Sequence, residues 1–165
     1  MLKKLSALLT APGVVVHELA HAAFCVLAGV RIHRIKLFQF RRVAGFVVHE
    51  EPRQFYQAFL ISLGPLLGNS LLALISFAQV YTITAPRTLL YAYLGVVVGL
   101  HAIPSNHDAG ALWQTARRRM WRNPLVLLCL PAVLIIYLLN FLKRLHIDFL
   151  YVALLWWLGG WYLKA

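Results

Sequence analysis

Three residues in an apolar stretch near the start of the chain have the types and spacing for metal-assisted hydrolysis. They are His17, Glu18 and His21, within Val14-Val15-Val16-His17-Glu18-Leu19-Ala20-His21-Ala22-Ala23-Phe24. Residues four apart share a helix face, so both imidazoles can meet one cation while the carboxylate beside the first reaches a water held by that cation. This is the residue set of a zinc hydrolase, with Glu18 as the general base. A catalytic zinc site takes three protein ligands and leaves one position open, so a third ligand must come from elsewhere. Cys25 cannot supply it, because a straight helix advances about 6 Å between residues four apart, too far for three successive ligands on one ion.

Acidic residues are few: Glu18, Glu50, Glu51, Asp108 and Asp148. Asp108 stands out, in His101-Ala102-Ile103-Pro104-Ser105-Asn106-His107-Asp108-Ala109-Gly110, where Pro104 disrupts a helix and frees backbone groups beside a polar cluster. Asp108 also fits an N-cap for a following helix over 109–122, and His107 is the alternative ligand if Asp108 faces away. Hydrolysis further needs donors for a developing oxyanion. Asn69, His101 and Asn106 are the candidates for that role or for substrate contacts.

The elements that position these groups lie in a bilayer. The 165 residues are 61% hydrophobic and 13% charged, with a mean hydropathy of +0.73, outside the range of ordinary soluble domains. At about 20 apolar residues per spanning helix, five segments emerge: 5–30, 54–80, 87–104, 124–142 and 147–163. From Leu5 to Val30 the strongly polar side chains are Ser6, Thr10 and the three motif residues. A cleaved signal core has no use for the latter, which are costly in hydrocarbon, so the segment reads as a retained helix. Between the first two segments, Arg34-Ile35-Lys36-Leu37 and Val43–Val48 are β-prone, with Arg41-Arg42 at the turn of a short hairpin. No repeat or low-complexity stretch is present, and one membrane domain over 1–165 is expected.

Sixteen Lys and Arg against five Asp and Glu would suit nucleic acid if they formed one face. They instead cluster between apolar segments, as membrane flanks do, and nucleic acid is not expected as a partner. The side holding loops 31–53 and 105–123 and the C-terminus carries eleven basic residues and the other side five, which assigns the first side to the cytoplasm. Leu112, Trp113, Ala116 and Met120 at helical spacing beside an Arg-rich run suit an interfacial helix on anionic headgroups. Cys25 and Cys129 both lie in apolar segments and make no disulfide framework.

The chain resembles the site-2 protease family of intramembrane zinc metalloproteases, as a small, prokaryotic-type member. The resemblance covers about residues 12–115. It rests on His17-Glu18-Leu19-Ala20-His21 with Ala22-Ala23 and Gly29-Val30, on the hairpin-like connection, on Gly64-Pro65-Leu66-Leu67-Gly68-Asn69, and on the region from Pro104 to Asp108. The family's second motif reads Asn-x-x-Pro, four residues, then Asp-Gly, with the Asp as third zinc ligand. Here His101 stands in place of the Asn, three residues separate Pro104 from Asp108, and Ala109 follows the Asp.

The resemblance implies an all-α integral membrane protein of about five transmembrane helices with a short β-hairpin after the first. Its three-helix catalytic core would span about 5–115, with additional helices over about 124–163. It also implies one Zn2+ per chain on His17, His21 and Asp108, with Glu18 as base, recessed on the cytoplasmic side of the cell membrane. His21 lies about 15 Å from the end of its helix at 1.5 Å per residue. Expected partners are the lipid bilayer, a transmembrane protein or peptide substrate and a regulatory membrane protein. A substrate helix must unwind before attack, and the hairpin edge could pair with the unwound strand. Two other readings are open: a non-proteolytic protein of the same fold that binds a partner or a metal, disfavoured by an intact Glu18, and a transporter, disfavoured by the absence of repeats.

Overall fold

The protein is described from a computed structural model, which covers residues 2–39, 45–82 and 86–162. The chain is mostly helical: α1 (Leu2–Leu27), β1 (Ile32–Lys36), β2 (Phe46–His49), α2 (Phe55–Thr82), α3 (Arg87–Leu100), α4 (Asn106–Arg119), α5 (Pro124–Leu142), a 3-10 turn over Lys143–Leu145, and α6 (Ile147–Tyr162).

Helix α1 stops where Gly29 adopts φ +67°, a left-handed conformation that glycine enters without a Cβ penalty. The amides of Gly29 and Val30 return to the carbonyls of Val26 and Cys25, and the chain leaves as β1. The expected hairpin is present. Its strands are antiparallel with Arg34 opposite Val48 and Lys36 opposite Phe46, and an irregularity falls between Ile32 and Arg34. The first strand starts two residues earlier than the Arg34–Leu37 run suggested, and the turn at Arg41-Arg42 lies outside the described residues.

Among the described residues, three helices are long and apolar enough to cross a membrane, over Leu8–Leu27, Phe55–Thr82 and Pro124–Leu145. The other two segments expected to span form shorter apolar helices, Arg87–Leu100 and Ile147–Trp161. The difference has a physical cause, because both belong to traverses of the bundle that are broken near the middle. Helix α3 packs on the second half of α2, with Asn69 donating to the Val98 carbonyl at 3.1 Å. The chain then unwinds over 101–105. Helix α4 continues beside the first half of α2 and ends where Arg119 donates to the carbonyls of Arg53 (2.6 Å) and Pro52 (3.5 Å).

The second broken traverse runs the other way. Val126 of α5 joins a buried cluster with Phe55 and Ala116, and fourteen residues later Asn140 meets the Pro104 carbonyl. After the 3-10 turn, His146 takes a left-handed φ of 57° and α6 proceeds along α3 and α2, from Val152 against Gly99 of α3 to Gly159 against Phe77 and Gly160 against Tyr81 of α2. The end of α6 therefore lies at the far end of the bundle from the hairpin. This corrects the expectation from charge counting that the C-terminal end shares the hairpin's side. Counting failed there because Lys143 is not in an end loop: its ammonium donates to the Ile103 carbonyl in mid-bundle.

Small residues allow the helices to touch, as helix packing in lipid requires. A Cβ on Gly64 would lie 3.1 Å from the Ala20 carbonyl oxygen, one on Gly68 3.0 Å from the Ala20 Cβ, and one on Gly13 only 2.2 Å from the Val97 carbonyl oxygen. The first two bring α1 to α2 and the third brings it to α3. The apolar stripe of α4, expected to face headgroups, packs inward instead: Leu112 and Ala116 are buried with Phe55 and with Val126, Val133 and Ile136 of α5, and Trp113 and Met120 are partly buried against them.

Candidate metal centre

His17 and His21 lie one turn apart on α1, with ring centroids separated by 4.9 Å at an interplanar angle of 78°. Each ring is aimed by a backbone carbonyl from another element. His17 Nδ1 is 2.7 Å from the His101 carbonyl oxygen, and His21 Nδ1 is 3.0 Å from that of Ile61. A carbonyl only accepts, so both Nδ1 atoms carry the hydrogen and both Nε2 atoms present a lone pair.

Both acceptor carbonyls lack a helical donor, one because of a proline and the other because its helix has ended. Pro65 lies within α2 and lacks the N–H that would bond to Ile61, four residues back. His101 caps α3. Pro104 has no N–H to offer it, and the Ser105 N–H is engaged by Asp108 Oδ2 at 2.9 Å. Pro65 thus frees the acceptor that orients His21, and the break after α3 frees the one that orients His17.

Asp108 is positioned by a capping box. Ser105 is the N-cap of α4 and accepts from the Asp108 amide, while the Asp108 carboxylate accepts from the Ser105 amide and from the Ser105 hydroxyl at 2.6 Å. Asp108 is thus the third helical residue, and the N-cap role read for it from the sequence belongs to Ser105. The Ser-x-x-acid spacing visible in the sequence is a signal of this arrangement.

The carboxylate meets the two histidines. Asp108 Oδ2 lies 3.7 Å from His17 Nε2 and 3.3 Å from His21 Nε2, and the three ligand atoms fall within 4.8 Å of one another. When both rings are neutral with Nδ1 protonated, no hydrogen lies between these atoms, and three electron-rich groups converge. A shared cation relieves that convergence, so the group could hold a metal ion. Nitrogen and carboxylate oxygen donors with outer-shell hydrogen bonds on every ligand suit a first-row divalent ion. His107, the alternative ligand, has a side chain 93% exposed with Nδ1 4.0 Å from Asp108 Oδ1, and it is outside the three-residue group.

Glu18 is buried and shares a cavity of about 470 Å³ with the three ligands. The hairpin supplies one wall through Gly45, Phe46, Val47 and His49, and α2 and α4 supply others through Ile61, Ser62, Ala111 and Thr115. Gly45 presses on the acid: a Cβ there would lie 2.3 Å from Glu18 Cγ and 2.6 Å from the Leu37 carbonyl oxygen. Nothing in the sequence marked Gly45 for this role, because hairpin and motif are far apart in the chain.

The three residues named for the oxyanion or substrate lie outside the cavity lining. Asn69 is fully buried and donates to the carbonyls of Gly13 (3.4 Å) and Val98 (3.1 Å), tying α1 and α3 to α2. The His101 ring is engaged by the Val97 carbonyl at 2.9 Å, and its own carbonyl serves His17. Asn106 is exposed at the start of α4. Ser62, Ser105, His49 and Thr115 are polar residues that do line the cavity.

Comparison with protein-family models, with curated proteins and with solved structures gives no match to this chain.

Proposed function

We propose that the chain is an intramembrane zinc endopeptidase of the site-2 protease type, hydrolysing a peptide bond of a transmembrane or membrane-proximal substrate. The observation that carries the reading is the convergence of His17, His21 and Asp108 within 4.8 Å, beside a buried glutamate in the same cavity. His17 and His21 would hold the ion through Nε2, and Asp108 through its carboxylate. When bound, the zinc would supply Lewis acidity to the scissile carbonyl and lower the pKa of a water.

Glu18 performs the proton transfers. It takes a proton from the attacking water as the C–O bond forms and delivers it to the leaving nitrogen as the C–N bond breaks. Gly45 leaves no room for a side chain over Glu18, which keeps the carboxylate turned into the cavity. Burial of the site excludes bulk water and strengthens every charge interaction within it. The substrate enters as an unwound strand, because a helix keeps its carbonyls in its own hydrogen bonds. In the two-stranded sheet β2 pairs only with β1, and with Phe46 and Val47 on the cavity wall its other edge suits strand addition.

The hairpin end of the bundle, whose His49 and Pro52 line the cavity, carries Arg31, Arg34, Lys36 and Arg53 together with the Arg117–Arg119 run. We assign that end to the cytoplasmic face of the cell membrane. The test is metal content and cleavage of a transmembrane reporter by purified wild type, Glu18→Gln and Asp108→Ala. Wild type should bind zinc and cleave, Glu18→Gln should bind zinc without cleaving, and Asp108→Ala should lose zinc affinity. Zinc binding without cleavage by wild type, across reporters of varied sequence, favours the binding protein of the same fold.

A further inference from the structure

The loop between α3 and α4 is irregular backbone in the middle of an apolar bundle, tolerable only if its polar groups find partners. Ile103 and Pro104 are fully buried. Their carbonyls precede a helix whose first amides turn elsewhere, the Asp108 N–H going to Ser105 Oγ at 3.3 Å. Unsatisfied, each buried carbonyl would carry a desolvation penalty.

Both partners come from the second broken traverse. Asn140 Nδ2 donates to the Pro104 carbonyl at 2.9 Å, and Lys143 Nζ donates to that of Ile103 at 2.9 Å. Asn140 is 9% exposed, one of few buried polar residues in α5. Asp148, in the first turn of α6, and Asp108 both act electrostatically on Lys143. The same five-residue loop serves the metal centre from its other side: the His101 carbonyl takes His17 Nδ1–H, and Ser105 donates twice to the Asp108 carboxylate.

We infer that Asn140 and Lys143 are positioning residues of the metal centre, clamping the 101–105 loop so that His17 and Asp108 are aimed together. The C-terminal helices then support the centre, although the group that would hold the ion is His17, His21 and Asp108. This rests on the His17, His21 and Asp108 metal reading. It predicts that loosening the clamp changes the coordination itself: the loop can shift by one hydrogen bond, which moves Asp108 relative to two histidines fixed on α1.

The test is titration of the metal-free full-length protein with Co2+ in lipid nanodiscs, read by visible absorption. Wild type, Asn140→Leu, Lys143→Met and Lys143→Arg are compared, with thermal unfolding of each metal-free protein alongside. Expected are one tightly bound Co2+ in wild type, an affinity lower by about 10–100-fold in Asn140→Leu and Lys143→Met, and a changed d–d band in both. Lys143→Arg, which keeps a cationic donor, should restore the wild-type band. A purely structural role would lower the unfolding temperature and leave the band unchanged. Wild-type bands and affinities in both variants would overturn the inference while leaving the metal centre standing. No Co2+ binding by wild type would overturn both.

Discussion

His21 Nδ1 lies 3.0 Å from the Ile61 carbonyl oxygen, which has no helical donor because Pro65 stands four residues on. A residue of α1 thereby completes the hydrogen bonding of α2 at its proline, and α2 in turn fixes which nitrogen of His21 is left for a cation.

Replacing Pro65 therefore acts on the metal site. Pro65→Ala offers the Ile61 carbonyl an amide and lets the helix close without His21. Metal affinity, measured by competition with a chromophoric chelator, should fall by about 10–100-fold. Helix content by circular dichroism should stay the same or rise. Unchanged affinity would mean that the freed carbonyl does not orient the ligand.

Gly13 sets the distance between α1 and α3. A methyl there would sit 2.2 Å from the Val97 carbonyl oxygen and 2.5 Å from the His101 ring, so the helices must separate and His17 loses its acceptor. Gly13→Ala should destabilise the protein by on the order of 1–3 kcal/mol and weaken metal binding in the same variant. Gly110, with open space around its Cβ position, is the control: Gly110→Ala should lower neither.

Gly45 bears on Glu18 and not on His17, His21 or Asp108. A methyl at Gly45 displaces Glu18 or the hairpin without touching His17, His21 or Asp108. The expected outcome for Gly45→Ala is full metal content with reporter cleavage reduced at least about tenfold, about 1.4 kcal/mol in the barrier. Loss of metal in this variant would show that the hairpin supports the ligands and not the base.

The strand edge is tested at β2. Proline at Val47 or Val48 removes an amide from that strand, and cleavage should fall while zinc content stays intact. Undiminished cleavage by both variants would remove strand addition from the account.

The grouping of His17, His21 and the distant Asp108 was legible in the sequence because their residue types are those of metal ligands, even across the 87 positions from His21 to Asp108. The hairpin was legible from its β-prone runs. The broken traverses were not. Hydropathy reads Arg87–Pro104 as one span, although Pro104 marks the break, and it reads Lys143-Arg144 as an end loop because it cannot see that Lys143 has the Ile103 carbonyl to bond. The oxyanion candidates were drawn from residue type alone, and type did not reveal that Asn69 and His101 are already committed to backbone carbonyls. Gly45 was invisible for the opposite reason, since its role is an absent side chain against a residue 27 positions earlier.

The most direct test of the central claim is the molar ratio of zinc to chain in wild-type protein purified without added metal and without chelator, measured by mass spectrometry beside a His17→Ala, His21→Ala, Asp108→Ala triple variant. A ratio near one is expected for wild type and near zero for the triple variant. A wild-type protein that folds, cleaves the reporter and carries no metal would contradict it.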